Sequence, residues 1–326
     1  TMEQTMKQKK PVLPEEEKNR TRSRKNKRIK QFLPLYIMLL PGIVYLIINN
    51  YLPMGGLVIA FKKVNYAVGI FNSPWAGLSN FKFLFSNNDA LNALRNTVLY
   101  NLGFILFGNI LAITVAIALD CVKSKFLKRF SQVVILIPYL LSTVIVSYIV
   151  YAFLNPTNGF VNNSVLPLLG IDPIKWYNVP KYWPVILTIV YLWMSFGYSS
   201  ILYYSTIIGI DKSLYEAAVM DGATTWQQIC HVTLPSLKFT IITLVLLAVG
   251  RICYSDFGLF YQVPQHSGLL YSTTQTIDTF VYRALLELND VGRSSAAGFL
   301  QSILGFIMVF TANTLVSRID KESALF

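Results

Sequence analysis

The sequence predicts an all-α membrane protein with six transmembrane helices. Of its 326 residues, 54% are hydrophobic and only 13% are charged, and the mean hydropathy is +0.49. Long apolar stretches recur along the chain, and a bilayer core needs about 20 apolar residues for one helical span. Such a composition is typical of a polytopic membrane protein rather than of a soluble domain.

Six apolar stretches are each close to the length of one span. The first is not a cleavable signal peptide, because a long polar tail precedes it and no small-residue cleavage site follows it. The predicted spans are residues 33–51, 96–119, 132–154, 184–208, 239–259 and 299–316.

Lys and Arg concentrate in alternate connections between these spans. The loops at 52–95, 155–183 and 260–298 are longer and sparser in cations. By the positive-inside rule, both termini and the connection between the fourth and fifth spans are cytoplasmic. Besides eleven cations in the N-terminal tail, the cytoplasmic set comprises Lys123, Lys125, Lys128, Arg129, Lys212, Lys238, Arg318 and Lys321.

This topology accounts for the net charge of +12 without a nucleic-acid partner. The basic tail lacks the pattern of a folded nucleic-acid module. It can contact anionic membrane lipids, and we expect it to be disordered up to about residue 28.

The polar connection between the fourth and fifth spans has the pattern of two short helices joined by a sharp corner. Ser213 and Glu216 fit an S-x-x-E capping box, and Thr225 and Gln228 fit a second box of the T-x-x-Q type. Gly222 can end the first helix in a left-handed conformation. Pro235 marks the exit from the second helix. The pattern predicts a helical elbow on the face of a membrane protein.

The same connection resembles the Glu-Ala-Ala motif of the permease subunits of ATP-driven, binding-protein-dependent importers. That motif has Glu-Ala-Ala, three residues, Gly, and after about nine residues I-x-L-P. Here residues 216–218 read Glu-Ala-Ala, Gly222 follows at the motif's spacing, and residues 232–235 read Val-Thr-Leu-Pro, with Val in place of the usual Ile.

Residues 249–264 and 319–326 resemble one branch of these permeases, the polysaccharide and aldouronate type. The resemblance implies a five-helix core with one additional N-terminal helix. It divides the chain into a basic cytoplasmic tail (1–30), a first transmembrane helix with an extracellular loop (31–91), an importer-permease core (92–317) and a cytoplasmic C-terminal tail (318–326).

The resemblance also implies partners in the bacterial cytoplasmic (inner) membrane. They are a second, related permease subunit in a heterodimer, two cytoplasmic ATPase subunits, and an extracellular or periplasmic solute-binding protein that delivers oligo- or polysaccharide. The elbow would contact an ATPase, with Glu216 as the main contact. Residues implied in this coupling are Tyr215, Glu216, Ala217, Ala218, Asp221, Gly222 and Ala223.

The sequence carries no motif for covalent chemistry. It lacks a G-x-x-x-x-G-K-[ST] phosphate loop, so ATP and Mg²⁺ are expected on the partner ATPases and no cofactor on this chain. Its three cysteines and two histidines lack metal-ligand spacing. We therefore expect a non-catalytic subunit.

Polar residues inside predicted spans are candidates for the transport path, because they are costly in a bilayer and tend to face a cavity or a partner helix. Tyrosine rings can stack on sugar rings, and Arg251 suits an anionic sugar such as a uronate. An ion pair of Arg251 with Asp256, or with the partner subunit, is the favoured alternative. The candidates are Asn101, Tyr198, Tyr203, Arg251, Tyr254 and Asp256, with Asn109, Ser195, Ser199, Tyr204 and Ser255 beside them.

Three other functions stay open. A proton- or sodium-coupled secondary transporter should show a second similar half or several intramembrane carboxylates, whereas Asp256 is the only clear acid in or near a span. A membrane-embedded enzyme would need a catalytic constellation. An importer of the same family for a non-sugar solute would carry the same motif.

Overall fold

The computed structural model describes residues 15–287, 289–319 and 324. These residues are predominantly helical, and the only β-type pairing among them is an isolated bridge between Lys62 and Trp75. The chain separates into two compact units, one ending at Leu57 and the other beginning at Val58.

The first unit is a long helix that begins earlier than expected. Helix α1 spans Glu15–Leu46 and continues through a π-turn (Ile47–Tyr51) and α2 (Leu52–Met54). The expected disorder up to residue 28 is therefore wrong from Glu15 onward. A helix already nucleated by an apolar span can propagate outward at little cost.

A 3₁₀ segment, Gly55–Phe61, includes the boundary at Val58. The connections of the second unit contain a π-turn at Val161–Val165 and 3₁₀ turns at Trp176–Asn178, Pro180–Tyr182 and Gly268–Leu270. Its α-helices are α3 Ser79–Ser86, α4 Asn88–Cys121, α5 Lys125–Leu140, α6 Thr143–Leu154, α7 Leu166–Leu168, α8 Trp183–Ile207, α9 Lys212–Met220, α10 Thr225–Gln228, α11 Leu234–Ser236, α12 Lys238–Gly250, α13 Phe257–Gln262, α14 Tyr271–Thr274, α15 Ile277–Leu286 and α16 Val291–Ile319.

Among the residues that the structure describes, four helical stretches are long and apolar enough to cross a membrane, and two bent pairs raise the number to six if each pair is one span. This agrees with the predicted all-α architecture. The four stretches are Gln31–Phe61, Asn88–Cys121, Pro180–Ile207 and Val291–Arg318.

The predicted third and fifth spans are wrong as straight helices. Helices α5 and α6 meet at 92°, after Pro138, and Ser142 caps α6 by accepting from the Ile145 backbone N–H at 3.4 Å. The predicted fifth helix ends at Gly250, nine residues early, because residues 251–256 leave the helical path and Asp256 begins a new helix. Outer segments predicted as loops also contain short helices, α14 and α15 among them.

The core of the second unit centres on α4 and α8. The Phe104 and Tyr191 rings stack with centroids 3.7 Å apart, which fixes the two helices against each other. Gly197 lets the α5 backbone approach α8, since a Cβ at this position would lie 1.8 Å from the Ile135 carbonyl oxygen. The packing around α4 and α8 frames an open space on one side of the unit.

Candidate functional site

A cavity of about 590 Å³ opens between α4, α8, α12 and residues 251–256; we call it the central cavity. It has the size of a small-molecule site. Tyr204, a further candidate, does not line it and instead has the Lys128 ammonium over its ring at 5.4 Å. The structure brings all six main transport-path candidates to the wall: Asn101, Tyr198, Tyr203, Arg251, Tyr254 and Asp256.

Residues 251–256 form a non-helical ledge along one wall of the central cavity. The Asn101 amide on α4 donates to the carbonyl oxygens of Ile252 at 3.0 Å and Tyr254 at 2.7 Å. The Gln301 amide on α16 donates to the carbonyl of Cys253 at 2.7 Å. Irregular backbone at membrane depth requires such internal partners. The Asn101 amide nitrogen therefore supports the ledge and is not free to donate to a ligand.

Asp278, on α15, completes the support of the ledge. Its Oδ2 accepts from the Ser255 backbone N–H at 2.6 Å and from the Ser255 hydroxyl at 2.7 Å. Its Oδ1 accepts from the Gln301 amide at 3.1 Å. Sequence reasoning missed Asp278 because residues 260–298 looked like an outer loop. The expectation that Asp256 is the only acid in or near a span is therefore wrong, since Asp278 contacts Ser255.

The two charges on the ledge do not pair with each other. Asp256 Oδ1 accepts from the Leu259 backbone N–H at 3.0 Å and thereby caps α13. Within the described part of the chain, Arg251 is exposed and makes no ion pair. The favoured interpretation of an Arg251–Asp256 pair is thus wrong, because the carboxylate faces a helix N-terminus instead.

The tyrosines of the cavity wall differ in availability. Tyr203 is fully buried and its hydroxyl donates to Asn109 Oδ1. The Tyr254 hydroxyl lies 3.2 Å from the Ser302 hydroxyl. Tyr198 is 46% exposed and its ring stacks on Tyr139 with centroids 4.8 Å apart. Tyr198 is thus the tyrosine best placed to meet a ligand.

The predicted elbow is present as residues 211–236, but its caps differ from the prediction. Asp211, not Ser213, caps α9 by accepting from the Ser213 backbone N–H at 2.9 Å. This bond, with a smaller contribution from the Ser213 hydroxyl, lowers the pKa of Asp211 below its usual value. The second capping box pairs Thr224 with Gln227, one residue earlier than predicted. Sequence spacing alone does not distinguish such adjacent caps.

The corner of the elbow is confirmed at Gly222, which adopts φ +76°. The Gly222 N–H donates to the Val219 carbonyl at 3.0 Å, and the Ala223 N–H donates to the Ala218 carbonyl at 2.9 Å. These two bonds are the Schellman motif that ends a helix with a left-handed residue.

The two arms of the elbow are tied together, and the chain then turns toward the membrane. The Tyr215 hydroxyl lies 2.9 Å from the Thr233 hydroxyl in the π-turn Ile229–Thr233. Pro235 does not itself end the second arm; the chain bends by 56° just after Ser236. The Tyr215–Thr233 contact thus braces the two arms against each other.

The outer face of the elbow has side chains that a docking partner could contact. Met220 is 86% exposed and Trp226 is 71% exposed. Glu216, Ala217 and Asp221 are also exposed. Among the described residues nothing pairs with the Glu216 carboxylate, so it does not cap its own helix.

The elbow lies at the same end of the unit as the basic connector after α4. Ala112 and Ala116 near the end of α4 pack with Ile207 at the end of α8 and with Leu237 after the elbow. Lys128 of the connector forms an ion pair with Asp120 at 3.9 Å. Both features predicted to be cytoplasmic therefore share one end of the second unit.

Comparisons with known proteins agree with this arrangement. Residues 108–321 match the family described as binding-protein-dependent transport system inner membrane component. Protein LplB of Bacillus subtilis is 32% identical over 88% of this chain and 90% of its own length. The polygalacturonan/rhamnogalacturonan transport system permease protein YteP of the same organism is 33% identical over 88% of this chain and 89% of its own length.

Solved structures agree with the sequence relatives. The crystal structure of a bacterial ABC transporter involved in the import of the acidic polysaccharide alginate superposes with a TM-score of 0.83 and 33% identity, covering 91% of this chain and 99% of that one. A crystal structure of a bacterial alginate ABC transporter in complex with alginate pentasaccharide-bound periplasmic protein gives a TM-score of 0.82 and 32% identity, covering 90% of this chain and 98% of that one. The chain therefore belongs to the binding-protein-dependent transport system inner membrane component family.

Proposed function

We propose that this chain is the permease subunit of an ATP-driven importer that moves oligo- or polysaccharide across the bacterial cytoplasmic membrane. The observation that carries the proposal is the elbow, a braced and exposed helix pair at one end of a helical unit that also encloses the central cavity. A partner that docks on the elbow can act on the cavity through the same packed helices.

The cargo class rests on relatives and on the cavity. Two relatives are named for import of alginate and of polygalacturonan, both acidic saccharides. The central cavity combines an exposed tyrosine, several hydroxyl groups and Arg251. Aromatic faces and hydroxyls suit sugar rings, and a guanidinium suits a uronate carboxylate. We therefore propose acidic oligosaccharide as the cargo.

The proposed assembly places this chain beside a second, related permease subunit, with two ATPases on the cytoplasmic side and a solute-binding protein outside. The proposed topology, from the positive-inside rule, has both termini in the cytoplasm. ATP and Mg²⁺ bind to the ATPase subunits, which hydrolyse ATP, while this chain carries no catalytic role.

Transport would proceed by alternating access. Closure of the ATPase dimer on ATP moves the docked elbow, and the Tyr215–Thr233 contact helps both arms of the elbow move together. The permease pair then rocks so that the cavity faces outward and later inward. Free energy reaches the cavity only because the ATPases contact the elbow differently in the two states.

Glu216→Lys tests this function in the purified complex reconstituted in liposomes. We expect the wild type to bind its ATPases and to hydrolyse ATP faster when a saccharide-loaded binding protein is added. In the variant, co-purification of the ATPases and stimulated hydrolysis should fall by about tenfold or more, the scale expected when one charged contact becomes repulsive.

Asp172→Lys is the matched control, because Asp172 is also exposed but lies in the predicted outer loop. It should leave ATPase binding unchanged. The importer function is refuted if the wild type neither retains ATPases nor responds to any loaded binding protein. Uptake driven by a proton or sodium gradient without ATP would then favour the secondary transporter.

A further inference from the structure

We propose that Asp278 is the positioning residue of the saccharide site, acting on the cargo only through the ledge. This inference rests on the proposed function. Asp278 does not line the central cavity, whereas four residues of the ledge do: Arg251, Tyr254, Ser255 and Asp256. Any effect of Asp278 on saccharide binding must therefore pass through the backbone and side chains that it holds.

Three helices that do not flank the ledge in sequence support it: α4, α15 and α16. Asn101 on α4 and Gln301 on α16 donate to ledge carbonyls, as described above. These amides satisfy the acceptors of the unwound segment. Asp278 on α15 satisfies the donors of Ser255 and is therefore the complementary half of the support.

A carboxylate suits this position because the Ser255 N–H and the Gln301 amide can only donate to it, while the Ser255 hydroxyl lies 2.7 Å from it and also reaches Thr276 Oγ1 at 2.7 Å. The Ser255 N–H and hydroxyl reach one oxygen, and the Gln301 amide reaches the other at 3.1 Å. The second hydrogen of the Gln301 nitrogen goes to the Cys253 carbonyl, so Asp278 also fixes how Gln301 is oriented. An asparagine would point an NH₂ group at one of these donors and leave it unsatisfied.

For function, the consequence is that the supported ledge holds the backbone of Arg251 in one place. Arg251 has no ion pair of its own within the described residues, so the ledge backbone determines where its charge meets the cargo. A bound carboxylate needs a donor held to within a fraction of an ångström. Loosening the ledge should therefore weaken recognition of acidic cargo more than coupling to ATP.

The test compares Asp278→Asn, Arg251→Gln and the double variant in proteoliposomes containing the whole complex. Uptake of trigalacturonate and of its methyl ester is measured with one binding-protein preparation, so the binding protein's own preference cancels between variants. For Asp278→Asn we expect the KM for trigalacturonate to rise, by no more than the about tenfold expected on loss of the Arg251 charge, because Asp278 acts on the cargo only through the ledge. The preference for the acid over the ester should fall as in Arg251→Gln.

Coupling to ATP is the readout that separates positioning from general damage. ATPase co-purification, basal ATP hydrolysis and Vmax should stay at wild-type levels. The double variant should prefer the acid over the ester no less than Arg251→Gln alone does. The effects of two substitutions are not additive when both residues act through one interaction. Asp290→Asn is the matched control, since Asp290 pairs with Arg293 at 3.1 Å away from the ledge.

Two results would overturn the proposal: an unchanged KM in Asp278→Asn, with or without a lower Vmax, or additive losses of preference in the double variant. If Asp278→Asn does not assemble, Gln301→Met takes its place and should give a smaller rise in KM with the same loss of preference. A wild-type complex that imports neither saccharide would instead refute the proposed function, before any variant is compared.

Discussion

At the scale of single residues, Arg251 presents a charge to the central cavity that the described chain does not neutralise. Asp256 lies five residues away but accepts from the Leu259 N–H of its own helix. Charges at membrane depth are retained where they face a water-filled path or a partner. The counter-charge for Arg251 is therefore expected from outside this chain, and an acidic saccharide supplies one.

Arg251→Gln should reduce uptake of acidic oligosaccharide while leaving that of the neutral methyl ester within about twofold. Loss of one charge-assisted hydrogen bond is worth about 1.5–3 kcal/mol, so the KM for the acid should rise about tenfold or more. Initial rates of uptake against concentration give both values. Equal losses for acid and ester would show instead that Arg251 pairs with the partner subunit.

The identities of cavity residues were predictable from the sequence, whereas their roles were not. Tyr198 and Arg251 were found because polar groups are conspicuous in apolar spans. Asp278 was missed because nothing in the sequence says that the segment after α13 folds back to touch Ser255. Asn101 and Tyr203 line the cavity, but their polar groups bond within the chain. Contacts between residues far apart in sequence decide these roles.

At the scale of elements, the contact between α5 and α8 depends on a single glycine. In an exposed helix, replacing Gly by Ala gains about 1 kcal/mol from helix propensity. At Gly197 the added Cβ would lie 1.8 Å from the Ile135 carbonyl, and backbone cannot yield as a side chain can. The two helices would have to separate.

Gly197→Ala should therefore destabilise the protein despite its higher helix propensity. We expect a net loss of about 1–3 kcal/mol, the usual cost of overpacking, seen as a lower midpoint of thermal unfolding in detergent. Gly103→Ala is the control, because its Cβ would meet only the Phe107 ring at 4.0 Å. That variant should match or exceed the wild type. A Gly197→Ala protein as stable as Gly103→Ala would contradict the close packing.

Helix number and the elbow corner were predictable because each follows from local sequence. An apolar run gives a span, and Gly222 permits the φ of +76° that the corner requires. The breaks within the third and fifth predicted spans were not predictable in this way. Residues 251–256 contain neither Gly nor Pro to mark the break, and tertiary donors such as Asn101 and Gln301 stabilise the unwound form in a membrane.

At the scale of the whole molecule, the elbow and the basic connector occupy one end of the second unit, as their shared packing around Ile207 and Leu237 indicates. This arrangement matters because ATPases can drive transport only if the elbow faces the cytoplasm. Charge distribution and the position of the elbow lead independently to the same orientation. The exposed thiol of Cys121, at the end of α4 beside the connector, provides a native probe of this orientation.

Cys121 should react with a membrane-impermeant maleimide in inside-out vesicles and not in right-side-out vesicles. The experiment uses a Cys230→Ser background, since Cys230 lies in the elbow and is partly exposed, whereas Cys253 is buried. Asp172→Cys in a background that lacks Cys121 and Cys230 is the control and should show the reverse pattern. Labelling of Cys121 only from the outside would place the elbow beyond the reach of cytoplasmic ATPases. The coupling mechanism would then fail even though the cavity and its ledge remained as described.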